Sequence, residues 1–202
     1  MARIEPQELV LASASPFRRK LLEAAGIAFR VAPAEVDEGE VKRRLAGKVG
    51  PARLAEVLAA LKAEAGSREH PASLVIGSDQ VVALGNEVFD KPMDVDAARA
   101  QLKRLRGQTH QLVTAVALAA GGQVVWHAVE SASLTMRAFS DAFLEGYIAA
   151  CGSRLCQMAG AYEIEGRGIQ LFERVEGDHF TIVGLPLVPL LAELRARGVI
   201  AE

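Results

Sequence analysis

The chain has 202 residues, half of them hydrophobic and 24% charged, which suits one globular domain with a substantial core. A net charge of −2 excludes a protein that grips nucleic acid through a broad basic field, while a local cationic pocket for a small polyanion stays open. No apolar run approaches membrane-spanning length, and residues 1–8, with Arg3, Glu5 and Glu8, lack the apolar stretch of a signal peptide, so a cytoplasmic location away from membranes is expected.

Residues 9–19 read as a short aliphatic strand, two serines, Pro16 at the first turn of a helix, and paired arginines. Free N–H groups at that helix start, the Ser13 and Ser15 hydroxyls, and Arg18 with Arg19 can all face one phosphate chain. Equally, Ser15 can be a plain helix cap beside solvated arginines. Residues 20–25 continue the helix, and Gly26 closes it. A second short strand is expected at 27–31, followed by an acidic loop through Asp37 and Glu38. Pro51 opens a helix whose Leu54, Val57, Leu58 and Leu61 form one apolar stripe. Residues 74–77 read as a short buried strand that ends in Ser78, Asp79 and Gln80. Asp94 caps an amphipathic helix that Gly107 stops.

Two strands, 112–120 and 123–129, flank Gly121-Gly122 as a hairpin, so the sheet cannot be wholly parallel. Ser140 starts a helix through Ala150, and 163–172 reads as two strands bent around Gly166 and Gly168. A helix over 185–197 closes the chain. The sum is an α/β fold with a mixed sheet, in which the hairpin-bearing middle forms a second lobe across a central cleft. Cys151 and Cys156 show no zinc-finger spacing and read as reduced thiols. Of the histidines, His70 and His127 read as incidental, and His110 and His179 as loop residues near strand starts.

Asp79 is the strongest candidate for a catalytic or metal-binding carboxylate, because a hydrophobic strand presents it at a surface; read alone, it is equally a turn aspartate. Glu38 with Asp79 could supply hard oxygen ligands to Mg²⁺ or Mn²⁺, with substrate phosphates completing the shell. Lys62 can reach inward from the edge of its helix, and Lys91 is held extended before Pro92, an arrangement suited to a phosphate. The Walker phosphate-loop pattern and the Gly-x-Ser-x-Gly elbow are both absent from the sequence. Two carboxylates, several cations and a hydroxyl-lined helix start fit metal-assisted cleavage of a phosphoanhydride.

Taken together, Ser13 to Arg19, Val36-Asp37-Glu38, Ile76 to Val81, Lys91-Pro92, Ala159-Gly160-Ala161-Tyr162, Gly166, Gly168 and Val183 to Pro186 resemble the Maf family over nearly the whole chain. The resemblance implies one Maf-like domain over 1–202, a two-lobed fold shared with inosine triphosphate pyrophosphatases, and a divalent cation (Mg²⁺, Mn²⁺ or Co²⁺). It implies hydrolysis of a nucleoside triphosphate between the α and β phosphorus, giving a monophosphate and pyrophosphate. By the same resemblance Asp79 is the proton acceptor, Glu38 and Asp79 hold the metal, and Ser13, Ser15, Arg18, Arg19, Lys62 and Lys91 cradle the triphosphate. Phe17, Gln80 and Glu165 stand at the family's base-selecting positions, a set similar to the branch acting on 7-methyl-GTP. That branch carries Trp where Phe17 stands, and Phe has the weaker π-face. Glu165 could accept from the N1 and amino edge of guanine, and Phe17 could stack on the base or pack in the core. A pyrimidine-directed or broad pyrophosphatase, and a nucleotide-binding regulator of septum formation, are the rival readings. The family also suggests a homodimer, to which the apolar 185–194 segment could contribute.

Overall fold

The computed structural model describes residues 8–201, so the leader expectation for 1–8 lies outside the described residues except at Glu8. At its centre is a seven-stranded mixed sheet in the order β2-β1-β3-β5-β6-β7, with β4 paired to β3. β1 (Leu9–Leu11) runs parallel to β2 (Arg30–Val31) and to β3 (Leu74–Leu84). From β3 onward every pairing is antiparallel: with β4 (Glu87–Phe89), with β5 (Thr109–Ala120), then β5 with β6 (Gln123–Met136) and β6 with β7 (Phe172–Glu176). The β5–β6 connection is the expected hairpin. Gly121 and Gly122 both take positive φ, 58° and 79°, as a two-residue turn matched to strand twist requires.

The helices begin where local chemistry says they should. Ser15 accepts from the Arg18 N–H to cap α1 (Pro16–Ala24), Asp94 caps α4 (Val95–Leu105), and Ser140 caps α5 (Asp141–Cys151). α3 (Pro51–Glu69) opens on its proline. Asp37 caps a helix that the sequence reading took for loop, α2 (Glu38–Leu45). Two helices end the chain, α6 (His179–Val183) and α7 (Leu187–Ala196), where one was expected.

Strand alternation divides the core. On one side, Leu11, Ile76, Val116 and Leu118 pack with Leu22 of α1 and with Leu187, Leu190 and Leu194 of α7. On the other, the small Ala115, Ala117 and Ala119 of β5 let α3 lie close, with Leu54, Leu58, Ala59 and Ala63 against the sheet. A third cluster at the far end joins Val82, Phe89 and Leu112 to Leu102 and Leu105 of α4 and Leu144 of α5. Leu185, Leu187, Leu190 and Leu194 of the 185–194 segment are engaged in the core, while Val188, 59% exposed, points outward.

Several other expectations change. β3 does not stop at Gly77 but continues through Asp79 to Leu84, because Val81, Val82 and Ala83 are themselves buried. Asp79 is thus a mid-strand residue rather than a strand-end one. The 27–31 strand shrinks to two residues. Residues 163–172 form no pair of strands: a 3-10 turn over Arg167–Leu171 leads into β7, with Gly168 so close to the backbone of Glu163 that a Cβ would lie 2.4 Å from its carbonyl oxygen. His110 lies inside β5 and His179 opens α6.

Gly77 fixes how near α3 comes to β3. A Cβ there would meet the Ala59 carbonyl oxygen at 2.3 Å and the Ala63 nitrogen at 2.4 Å, both backbone atoms that cannot swing aside. Gly77→Ala is expected to destabilise the fold by about 3 kcal/mol, the upper range for forced overpacking. Urea unfolding would read this, and a change below 0.5 kcal/mol, the ordinary surface value, would show the approach to be slack.

Candidate active site

A cavity of about 390 Å³ opens beside the middle of β3. Asp79 and Gln80 line it from opposite faces of the strand, as period-two alternation dictates, with Ser78 buried beside them. Ser78 and Gln80 point toward α6, where the Ser78 hydroxyl donates to the Gly184 carbonyl at 3.2 Å. The Gln80 amide nitrogen lies 3.0 and 3.1 Å from the carbonyls of Thr181 and Ile182, and 2.9 Å from the Thr114 hydroxyl. Those carbonyls fix the amide's orientation, so its oxygen is turned away from them. Asp79 points to the opposite side, on which α3 packs.

There Lys62, one residue before Ala63 on α3, places its Nζ 2.6 Å from Asp79 Oδ1 and 2.6 Å from Glu38 Oε1. The Asp79 and Lys62 side chains are only 8% and 12% exposed. Glu38, at the start of α2, is more open. Burial pushes its carboxyl up, but the Lys62 charge and hydrogen bond, with Lys42 and Lys91, hold it below the usual carboxylate range. Glu38 therefore carries charge at neutral pH.

The β1–α1 turn faces this pair. Arg18 donates from Nε to the Gly184 carbonyl at 2.8 Å and from Nη1 to the Ser13 hydroxyl at 3.1 Å. Burial draws the guanidinium below its ordinary value against the opposing pull of Asp79 and Glu38. Ser15 and Phe17 line the cavity, whereas Ser13 stands behind Arg18 and orients it. Phe17 belongs to none of the buried core clusters, so it serves the cavity wall rather than the core. Arg19 does not join the site: its Nε binds Glu23 one turn on, at 2.7 Å, on the exposed face. A helical step of about 100° separates it from Arg18, so the two cannot face one ligand.

Lys91 and Glu165 both line the cavity from exposed positions. Further lining residues carry charge or hydrogen-bonding groups to which the sequence assigns no role. Glu163 pairs with Arg154 at 2.7 Å, and Lys42 pairs with Asp90 at 2.5 Å. Lys42 stands four residues after Glu38, a helical spacing that goes unseen once the segment is taken for loop. Another is Tyr162, whose hydroxyl meets His110 Nε2 at 2.7 Å in a buried aromatic cluster with Phe172.

Among the described residues no group of three or more His, Cys, Asp or Glu side chains forms a metal cage. Glu38 Oε1 and Asp79 Oδ1 converge on the Lys62 ammonium, 2.6 Å from each, which leaves the other oxygen of each carboxylate as a hard donor. Such a pair suits Mg²⁺ or Mn²⁺ when substrate phosphates and water complete the coordination. No helix among the described residues is long and apolar enough to cross a membrane, and Cys151 and Cys156 are free thiols.

Residues 8–197 match the family model described as Maf-like protein. A protein named 7-methyl-GTP pyrophosphatase, from Brucella abortus biovar 1 (strain 9-941), is 50% identical over 189 residues, covering 93% of this chain and 95% of its own. One of the same name from Rhizobium etli is 49% identical over 195 residues, 96% of this chain and 98% of its own. A protein named nucleoside triphosphate pyrophosphatase, from Paramagnetospirillum magneticum, is 52% identical over 190 residues, 94% of this chain and 98% of its own.

Burial pushes His110 down to about 4, so the imidazole is neutral in the fold. The unfolded chain binds its proton near pH 6.5 while the native state does not, so stability is full above that value and declines as pH falls toward 4. This one residue is expected to remove about 2 kcal/mol between pH 7.5 and pH 5. His110→Asn should flatten that part of the profile in urea titrations, and an unchanged slope would show that other groups carry it.

Proposed function

The chain belongs to the Maf family, and from that premise we propose that it is a cytoplasmic nucleoside triphosphate pyrophosphatase acting on a guanine nucleotide of the 7-methyl-GTP kind. The observation that carries the proposal is the Asp79–Lys62–Glu38 cluster, a buried charged group at the floor of a cleft ringed by Arg18, Lys42 and Lys91. A buried ion pair is a poor device for stability alone, and a carboxylate held ionised beside phosphate-binding cations is suited to proton abstraction.

The triphosphate lies along the cations with its α-phosphorus beside Asp79. Lys62, hydrogen-bonded to Asp79 Oδ1, fixes that carboxylate in direction. Asp79 takes a proton from a water whose oxygen bonds to the α-phosphorus, and the bond from that phosphorus to the bridging oxygen breaks. The leaving pyrophosphate carries away the electron pair, and Arg18 and Lys91 stabilise the charge that develops on it. When bound, a divalent cation (Mg²⁺, Mn²⁺ or Co²⁺) held by Glu38 and Asp79 supplies further neutralisation of the phosphate oxygens. Ser13 and Gly184 keep Arg18 aimed at the chain of phosphates.

The base sits at the other end of the cavity, against Phe17 and the 157–165 segment. Glu165 can accept two hydrogen bonds from the N1–H and amino group of guanine, a match that uracil and thymine lack. An aromatic face at Phe17 favours the positive charge of a methylated guanine. Gln80, pinned through its nitrogen, contributes a fixed carbonyl oxygen as acceptor.

A purely regulatory nucleotide-binding protein would have no use for a carboxylate buried against a lysine at the floor of the cleft. Asp79→Asn is expected to lower kcat by about a thousandfold with an unchanged melting curve, a general-base loss. An active Asp79→Asn enzyme overturns the assignment. Arg18→Ala should lower kcat/KM at least about tenfold, the scale of one charge-assisted contact, while Arg19→Ala stays near wild type. A nucleotide panel assayed for pyrophosphate release should rank 7-methyl-GTP above UTP and dTTP; a pyrimidine preference overturns the guanine-edge reading.

A further inference from the structure

Lys42 is the cleft cation that the mechanism above leaves without a task. It follows Glu38 by one helical turn, so both side chains leave the same face of α2, into the cavity. Among the described residues its hydrogen-bond partner is Asp90, at 2.5 Å, in the segment that also carries Lys91. The partner pairings of the other cations differ. Lys62 is shared by two carboxylates, and Arg18 is held by a hydroxyl and a backbone carbonyl. Depth also orders them: the Lys62 side chain is 12% exposed, Lys42 27%, and Asp90 62%. A triphosphate with its α-phosphorus at Asp79 and its tail toward solvent therefore passes Lys62 before Lys42, and Lys91 is more exposed still.

We propose that Lys42 binds the β- and γ-phosphates, the part that leaves as pyrophosphate, and that Asp90 is the counter-ion which holds its ammonium in place until a phosphate displaces it. The proposal rests on the pyrophosphatase reading of the same cleft. An ion pair this exposed is weak, so it positions the ammonium without competing strongly against a polyanion. A phosphate offers more acceptor oxygens and more charge than one carboxylate, which drives the exchange. The pair would then open on substrate binding and re-form when pyrophosphate departs.

A structural strap and a counter-ion exchange make opposite predictions for the two partners. If the pair merely ties α2 to the Lys91 segment, breaking it from either side weakens ligand binding alike. If Asp90 competes with phosphate, removing it frees the ammonium. The test is calorimetric titration with inorganic pyrophosphate in Mg²⁺ buffer, together with KM for the triphosphate and product inhibition by pyrophosphate and by the monophosphate. Lys42→Met is expected to weaken pyrophosphate about tenfold and raise KM comparably, as for one lost charge-assisted contact. Inhibition by the monophosphate should not move, and Lys42→Arg should restore most of the loss. Asp90→Asn should tighten pyrophosphate by about threefold, the scale of removing one weak exposed pair.

Lys42→Met binding pyrophosphate as wild type does overturns the proposal, and so does Asp90→Asn weakening it as Lys42→Met does. Should Lys42→Met fold poorly, the Lys42→Arg and Asp90→Asn results decide alone. Failure of the wild-type protein to release pyrophosphate from any triphosphate overturns the underlying reading instead. Normal wild-type turnover with unresponsive Lys42 and Asp90 variants overturns this inference and leaves that reading standing.

Discussion

The close approach of α3 to β3 is the constraint on which the site depends. Gly77 has no side chain where the helix backbone passes, and the alanines of β5 keep the neighbouring strand equally thin. Only at that separation can Lys62, beside Ala63, reach across and meet Asp79 two residues along the strand from Gly77. The chemistry is thus set by a packing decision made in an apolar part of the molecule. A larger residue at 77 would displace the helix and with it the ammonium, even though position 77 touches no ligand.

The second organising feature is how four cations, Arg18, Lys42, Lys62 and Lys91, share one cleft with five carboxylates. Its cations are kept apart by giving each a different partner. Arg18 is tied by neutral acceptors, Lys62 is neutralised by two carboxylates, and Lys42 is held by an exposed aspartate. Lys91, restricted by Pro92, acts through its charge on Glu38. Uncompensated like charges at this spacing would repel and destabilise the fold, whereas partners of graded strength let the site hold together before substrate arrives. Arg19 marks the limit of the device, because its helix turns it away toward Glu23.

Much of this was legible in the sequence where the signal is local. Ser15, Asp94 and Ser140 announced their helices, Gly121-Gly122 announced the hairpin, and the alternation of strands and helices announced a mixed sheet. The cleft residues Arg18, Glu38, Lys62, Asp79 and Lys91 could be named from residue type and resemblance, but their mutual distances could not. What stayed hidden depends on tertiary context. β3 runs on past Asp79 because distant side chains bury Val81 and Val82, not because Ser78-Asp79-Gln80 favours a strand. Lys42 was missed because the acidic 35–38 run read as loop, so the one-turn relation to Glu38 was never available. The 3-10 turn at 167–171 was mistaken for strand since its glycines serve close backbone approach rather than a bend between strands.

The two ends of the cleft are built by different physics, which in the proposed function separates catalysis from base selection. The phosphate end comes from regular elements, β3 and the helices α1, α2 and α3, whose positions the main sheet fixes. The base end comes largely from the irregular 157–165 segment, which contains Gly160 at φ 78° and Ala161 at φ 58°, a left-handed pair that a non-glycine residue adopts only under constraint. That constraint is a buried aromatic layer: Tyr147 donates to the Ala161 carbonyl, and His110 meets the Tyr162 hydroxyl from β5. Burial raises both tyrosine hydroxyls above their ordinary range, so they remain neutral hydrogen-bonding groups across the working pH. The segment is therefore held by these side chains together with short 3-10 turns rather than by sheet pairing. Changes at Phe17, Glu165 or the residues between 157 and 165 can reshape the base wall while Asp79, Lys62 and Glu38 keep their geometry, so one scaffold can exchange its nucleotide without rebuilding its chemistry.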